Sequence, residues 1–383
     1  MAPDLARLVR PGDGIVLGQA CAEPQTLSTA LVAQRAAFPG ASLFLGVNYA
    51  GIVRPEHADC LKLSSYCGAG HNRALADAGV LDIHPHPYSR LAPLIRERKI
   101  PCDVALIQVS PPNARGEYSM GLAVDYLLPA LQTARCVIAE VNDRVPWTHS
   151  EKLFRKEDFA LLVEASCEPA LPPPARTGDI EAAIARHAAA FIPDGATLEF
   201  GLGSLPDTVC TALQGRKSLR VHSGTIGDGV AELMKTGAVT GADCAMMIGT
   251  RKLFDHAQGN AAVRLRSTEY THDPRVLASL PKFVAINSAV EVDLTGQVNA
   301  EVAKGSYLGA VGGALDFIRA ASFSAGGVSL LLLPAARVVK TLSGPVSTPR
   351  SEAGVVVTER GAADLRGCTL RERERRMLAI SRI

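Results

Sequence analysis

The chain lacks a charge excess of either sign. Its 40 Lys and Arg residues face 38 Asp and Glu residues, for a formal net charge of +2. It has no basic stripe interleaved with aromatics either, so neither nucleic acid nor an anionic membrane surface is an expected partner. No apolar run approaches the roughly 20 residues that a membrane-spanning helix needs. The opening Met1-Ala2-Pro3-Asp4-Leu5 lacks the pattern of a secretory signal. The expectation is a soluble, cytoplasmic protein. Nine cysteines contain no Cys-x-x-Cys pair, and their number is odd. Reduced, mostly buried thiols fit this better than a disulfide framework. His84-Pro85-His86 and the trio Cys60, Cys67 and His71 lack the tight paired spacing of a structural zinc site, so no metal is expected.

What is present is ample apolar material, 47% of 383 residues, enough for two cores of ordinary size. A repeat supports that division. Gly12-Asp13-Gly14-Ile15-Val16-Leu17-Gly18, then Glu23-Pro24 and a helical pattern at Leu27, Ala30 and Leu31, reads as a turn, a strand and a helix. The same grammar returns at Pro193-Asp194-Gly195-Ala196-Thr197-Leu198, with a glycine loop, Pro206-Asp207, and then Val209, Ala212 and Leu213. Asp13 to Asp194 spans 181 positions, and both Val104 to Val284 and Gly116 to Gly296 span 180. Two echoes at nearly one offset favour duplication of a whole domain.

The proline-rich run from Glu168 to Arg176 can be neither helix interior nor central strand. The expected organisation is therefore a domain at 1–167, a linker at 168–178 and a second domain at 179–383. Asp179 is a candidate cap for a helix carrying Ile180, Ile184, His187 and Phe191 at helical spacing. Apolar runs without polar alternation, such as Cys136-Val137-Ile138-Ala139 and Val328-Ser329-Leu330-Leu331-Leu332-Leu333, suit strands buried on both faces. The fold class expected is α/β with mostly parallel sheets in both halves.

The stretch from Glu199 to Asp228 is the candidate ligand site. It reads as a strand ending in Glu199-Phe200, the loop Gly201-Leu202-Gly203, a helix, and a second strand end at His222-Ser223-Gly224-Thr225-Ile226-Gly227-Asp228-Gly229. Glycine turns at adjacent strand ends are where an open α/β sheet binds ligands. The third glycine of a dinucleotide fingerprint is absent. Ser204 with Asp207 is expected to form a capping box, with Pro206 in the first helical turn. Free backbone N–H groups there suit a phosphate or an oxyanion. A tight strand-to-helix turn without a ligand is the plainer alternative.

Several stretches together resemble the acetyl-CoA hydrolase/transferase family, the branch of family I CoA-transferases that includes 4-hydroxybutyrate CoA-transferase. In the first half they are Asp103–Pro112, Gly116 with Ser119 and Gly121, and Val137–Asn142. In the second half they are the Gly201 loop, Ile286–Asn299, Val311-Gly312-Gly313 with Asp316-Phe317, and Thr358-Glu359 with Gly361 and Asp364–Gly367. The blocks run in family order over nearly the whole chain.

The resemblance implies two similar, duplicated CoA-transferase-like α/β domains. It also implies an acyl-CoA held between them, mainly against the second, and a carboxylate as possible acceptor. It assigns His222, Asn287, Glu291, Val311, Gly312 and Gly313 to substrate or CoA binding, and Gly201 and Gly203 to the oxyanion loop. Family members attack the thioester with a glutamate, which must be desolvated and positioned to act as a nucleophile. Self-association fits a metabolic enzyme of this type, although no residue pattern specifies it.

Two departures change that expectation. The nucleophile of the family lies in a His-Ser/Thr-Glu segment, and the matching position here is Gly224, which carries no carboxylate. Two residues before the glycine loop the family usually has glutamine, and here stands Glu199. A buried Glu199 with a raised pKa is a candidate replacement nucleophile or a general base for water; the alternative is that it only hydrogen-bonds an amide as the glutamine would. Ala314 and Ala320 also replace a family glutamine and glycine, which implies a reshaped pocket. Three readings stay open: a CoA-transferase or acyl-CoA hydrolase on a short or medium acyl group, a different lyase or hydrolase on a CoA-linked substrate, and a non-catalytic CoA-binding homologue.

Overall fold

The computed structural model describes residues 3–174 and 178–383. The apolar runs become strands buried on both faces. In the first of two compact units, strands β1 (Gly14–Leu17), β2 (Ser42–Leu45), β3 (Lys62–Ser65), β4 (Leu81–Ile83), β5 (Val104–Val109), β6 (Cys136–Asn142) and β8 (Leu161–Ala165) form a sheet in the order β4-β3-β2-β1-β5-β6-β8. Every pairing between neighbours in it is parallel. All six residues of β5 are buried, as a central strand between two helical layers requires. One side of this sheet packs a core that includes Leu27, Leu31, Phe38, Leu43 and Leu106. A short β7 (His149–Ser150) pairs in parallel with β12 (Val263–Leu265).

In the second unit, β9 (Thr197–Phe200), β10 (Leu219–Ile226), β11 (Val239–Met247), β13 (Phe283–Ser288), β18 (Val328–Leu332), β20 (Val355–Thr358) and β21 (Gly361–Asp364) follow the order β21-β20-β18-β13-β9-β10-β11. The β20–β21 pair is antiparallel, and β13 runs parallel to both β9 and β18. Strands β14 (Glu291–Asp293), β15 (Val298–Asn299) and β19 (Val338–Val339) make a small sheet, and β16 (Val302–Ala303) and β17 (Ser306–Tyr307) a hairpin. The orders β3-β2-β1-β5-β6-β8 and β11-β10-β9-β13-β18-β20 correspond strand for strand, matching β1 with β9 and β5 with β13. Those are the two strands that the sequence offset pairs.

The division along the chain is less simple than one crossover at 168–178. One unit comprises Met1–His86, Arg90–Pro173 and Ala245–Glu269; the other comprises Pro87–Ser89, Pro174–Cys244 and Tyr270–Ile383. The chain returns to the first unit at Ala245 because the end of β11 bonds there: Val124 N–H donates to Ala245 O and Met247 N–H to Leu122 O. Residues 175–177 of the expected linker lie outside the described residues, as do Met1 and Ala2. The helix after the linker is Asp179–Ala189, with Gly178 as its N-cap, so Asp179 is its first residue and not its cap. All nine cysteines are free thiols. Among the described residues no helix is long and apolar enough to cross a membrane, and no group of three or more His, Cys, Asp or Glu side chains converges.

Candidate active site in the second unit

Strand β9 delivers Glu199 and the glycine loop to the C-terminal edge of its sheet. Gly201 N–H donates to Ile286 O at 2.8 Å, extending the β9–β13 ladder beyond the strand. Ser223 Oγ accepts from Phe200 N–H at 3.1 Å, and the Ser223 and Thr225 hydroxyls both donate to Phe200 O. These bonds fix the loop's point of departure. Gly203, at φ +125°, is the N-cap of the Ser204–Ala212 helix, a conformation that favours glycine. The expected capping box does not form. Ser204 is already the first helical residue, and Asp207 Oδ1 accepts instead from Gly229 N–H at 3.2 Å, at the start of the neighbouring Asp228–Lys235 helix.

Glu199 is 1% exposed. Its Oε2 accepts from Asn287 Nδ2 at 2.7 Å and from Ile286 N–H at 3.1 Å. Burial pushes its pKa up to about 8, with the two donors pulling the other way. The carboxyl is therefore largely protonated at neutral pH. Among the described residues no hydrogen bond reaches Oε1. Gly201 serves the same pair, since a Cβ there would lie 2.5 Å from Asn287 Oδ1. Only glycine lets Asn287 close over the strand end and meet the carboxyl.

Strand register places Gly224 on the same face. Thr197 pairs with Arg220 and Leu198 with Val221; carried onward, this sets Glu199 beside His222 and Gly201 beside Gly224, with side chains alternating across the pleat. His222 Nε2 lies 3.0 Å from Thr271 O and its ring packs on Tyr270. The space beside Gly224 is vacant of side chain but not of atoms. A Cβ on Gly224 would lie 3.3 Å from both Cε1 and Nε2 of His272 and 3.6 Å from the Phe317 ring. A Cβ on Gly313 would lie 2.7 Å from His272 Nε2.

The ring of His272, 2% exposed, packs against Phe317 at 4.5 Å and Tyr88 at 5.1 Å between centroids. Its Nδ1 is 2.9 Å from Thr271 Oγ1. Burial, with His222 nearby, drives its pKa down to about 3, so the ring is neutral. Neither Thr271 nor His272 stood out in the sequence. The only signal was Asp273-Pro274, a helix start, and Asp273 does cap the Pro274–Ala278 helix through Arg275 N–H and Val276 N–H.

The remaining candidate residues lie on other elements of the second unit. Gly313 is the N-cap of the Ala314–Phe323 helix, and Gly312, at φ +57°, accepts from Tyr88 N–H at 2.9 Å. Val311 precedes them, half-buried. Ser89 donates its hydroxyl (2.8 Å) and N–H (3.2 Å) to Asp316, whose carboxyl burial raises to about 6. Residues 87–89 thus strap the start of that helix. Glu291 has a local partner, with both its oxygens on the Ser343 hydroxyl and one on its N–H.

Family models for the acetyl-CoA hydrolase/transferase N-terminal domain and C-terminal domain match residues 1–154 and 249–382. The chain is 35% identical to the 4-hydroxybutyrate coenzyme A transferase of Clostridium kluyveri over 96% of this chain and 90% of that protein. An acetyl-CoA hydrolase of Saccharomyces cerevisiae is 28% identical over 58% of this chain and 46% of that protein. Among solved structures, RipA from Yersinia pestis superposes with a TM-score of 0.94 at 27% identity, covering 98% of this chain and 92% of that one. The 4-hydroxybutyrate CoA-transferase of Porphyromonas gingivalis gives 0.80 at 29% identity, covering 98% and 92%. These matches span both halves of the chain, which belongs to the acetyl-CoA hydrolase/transferase family and is an enzyme of the CoA-transferase and acyl-CoA hydrolase type.

Proposed function

We propose that the protein cleaves a short- or medium-chain acyl-CoA by hydrolysis, without a glutamyl intermediate at the usual position. The observation that carries this reading is Gly224, a position with no carboxylate whose side-chain space is taken by the His272 and Phe317 rings. Water then replaces the protein nucleophile, and Glu199 is the carboxyl on the same face able to serve it. Its ionised form takes a proton from water as the oxygen attacks the thioester carbonyl carbon. The tetrahedral intermediate collapses with cleavage of the C–S bond, and the departing thiolate of CoA takes that proton back. The products are the free acid and CoA. Asn287 and the Ile286 N–H hold Oε2.

A second reading keeps transfer, with Glu199 as a relocated nucleophile. It is favoured by the Oε1 atom, which no hydrogen bond occupies among the described residues.

The test is to incubate the protein with a panel of acyl-CoAs and follow free thiol with and without an acceptor carboxylate, checking intact mass for an adduct. Acceptor-independent thiol release with no adduct, rising with pH through about 8 as Glu199 ionises, is the expected result. Acceptor-dependent transfer with an adduct abolished by Glu199→Gln would replace hydrolysis by the second reading. Thiol release by Glu199→Gln at the wild-type rate would remove Glu199 from either role.

A further inference from the structure

We infer that His272 is a catalytic residue of this site, its Nε2–H donating a hydrogen bond to the thioester carbonyl oxygen beside Gly224 and Gly313. The inference rests on the hydrolytic reading for its chemistry and on packing for its geometry. His272 is held from three directions. Its backbone precedes the Asp273 cap, two aromatic rings pack on the imidazole, and Nδ1 is engaged by the Thr271 hydroxyl at 2.9 Å.

That leaves one nitrogen. Nε2 has no hydrogen bond among the described residues, although the side chain is 98% buried by the 2% exposure it retains. Two residues without side chains, Gly224 and Gly313, lie beside Nε2. A Cβ at Gly313 would come 2.7 Å from Nε2 and one at Gly224 3.3 Å, so the ring lies close against the backbone at both positions. A group that pairs with Nε2 would arrive at the C-terminal edge of β10 beside the start of the Ala314–Phe323 helix.

The direction of the bond follows from the electrostatics. A ring so averse to protonation is a poor base, but a neutral imidazole remains a good donor. In the tautomer in which Thr271 Oγ1–H donates to Nδ1, 2.9 Å away, the proton lies on Nε2. A thioester oxygen that becomes an oxyanion on attack by water is the acceptor this arrangement favours, because a fixed donor in a dry site acts most strongly on developing charge. No proton moves from His272 in this step, so the balance given above for hydrolysis is unchanged.

The test uses the full chain with two independent readouts. In steady-state thiol release, His272→Ala and His272→Gln should lower kcat by roughly 10²–10³-fold, as removal of one oxyanion donor does, with a smaller change in KM. Thr271→Val should fall between them and wild type. In nitrogen-15 spectra of the imidazole groups, a ketone analogue of the acyl-CoA, with methylene in place of sulfur, should shift the His272 Nε2 signal while its proton is retained. If wild type cleaves thioesters but His272→Ala and His272→Gln lose less than about threefold, or the Nε2 signal is unmoved at saturation, the inference is overturned. A shift by the analogue in a protein that cleaves no acyl-CoA would sink the hydrolytic reading while preserving the contact. A protein that neither binds the analogue nor cleaves a thioester overturns both.

Discussion

A glutamate at Gly224 would bring a carboxyl to the face that carries Glu199, and the packing around it opposes that change. Even the first carbon of a side chain would meet His272 at 3.3 Å on two ring atoms, closer than packed atoms tolerate without a shift. Gly224→Ala should therefore cost about 1–3 kcal/mol, the usual range for overpacking. Gly224→Glu alone should cost more and gain no transferase activity. The cause is identifiable by a double-mutant cycle in denaturant. Gly224→Ala in a His272→Ala background should cost less than in wild type, with a coupling of about 0.5–3 kcal/mol. Additive effects would mean that His272 does not occupy the space. The empty position was legible in the sequence because a glycine shows its lack of a side chain wherever it stands. What fills the space was not legible, because His272 lies 48 residues on and is brought in by tertiary packing alone. Asp273-Pro274 announced a helix start and nothing about the ring before it.

At the scale of elements, the glycine loop works through the strand beside it. The structure gives Gly201 the task of admitting Asn287, and Asn287 in turn holds Glu199. Gly201→Ala should displace Asn287 and destabilise by roughly 1–3 kcal/mol, an overpacking cost together with a weakened buried hydrogen bond. In an Asn287→Ala background the same change should cost clearly less, read as a smaller shift of the denaturation midpoint. Equal shifts in both backgrounds would place the strain elsewhere. Strands β6 and β18 were readable because their runs at 136–139 and 328–333 show no polar alternation, as strands buried on both faces do. The loop's conformation was less so. Ser204 and Asp207 have the spacing of a capping box, yet the helix begins one residue earlier than that box requires, since Gly203 can adopt the positive φ at the turn. Asp207 is thereby released to tie the next helix, a long-range bond that local spacing does not encode. The Tyr88-Ser89 strap is invisible to sequence for the same reason: its partners are Gly312 and Asp316, more than 220 residues away.

For the whole molecule, the duplication in sequence resurfaces as two sheets of matching strand order, and both units bury carboxyl groups whose ionisation is opposed. Glu23 in the first unit is pushed up to about 7 by burial, Glu199 and Asp316 in the second to about 8 and about 6. In the unfolded chain each ionises near its ordinary value, around pH 4 to 4.5. Between that value and its folded pKa the native state binds more protons than the unfolded state, so stability falls as pH rises. His272 acts in the opposite sense and in a different window. It stays neutral in the fold down to about pH 3, so its share is complete above its ordinary value near 6.5 and is lost on acidification below it. Carboxylates held below their ordinary range, such as Asp103 and Asp293, are ionised in both states above pH 5 and add no slope there. Above pH 6.5 the raised carboxyls therefore dominate, and the melting temperature should decline from pH 6.5 to 8.5. Glu199 makes the largest contribution, on the order of 5 kcal/mol at full effect for a shift from 4.5 to about 8. Glu199→Gln keeps a side chain able to meet Asn287 and cannot ionise. Relative to wild type it should gain stability progressively from pH 6 to pH 9, followed as the transition of the second unit in calorimetric scans. A difference between the two proteins that stays constant over this range would show that Glu199 is already ionised at neutral pH. The rise of thioester cleavage through about pH 8 would then lose its cause.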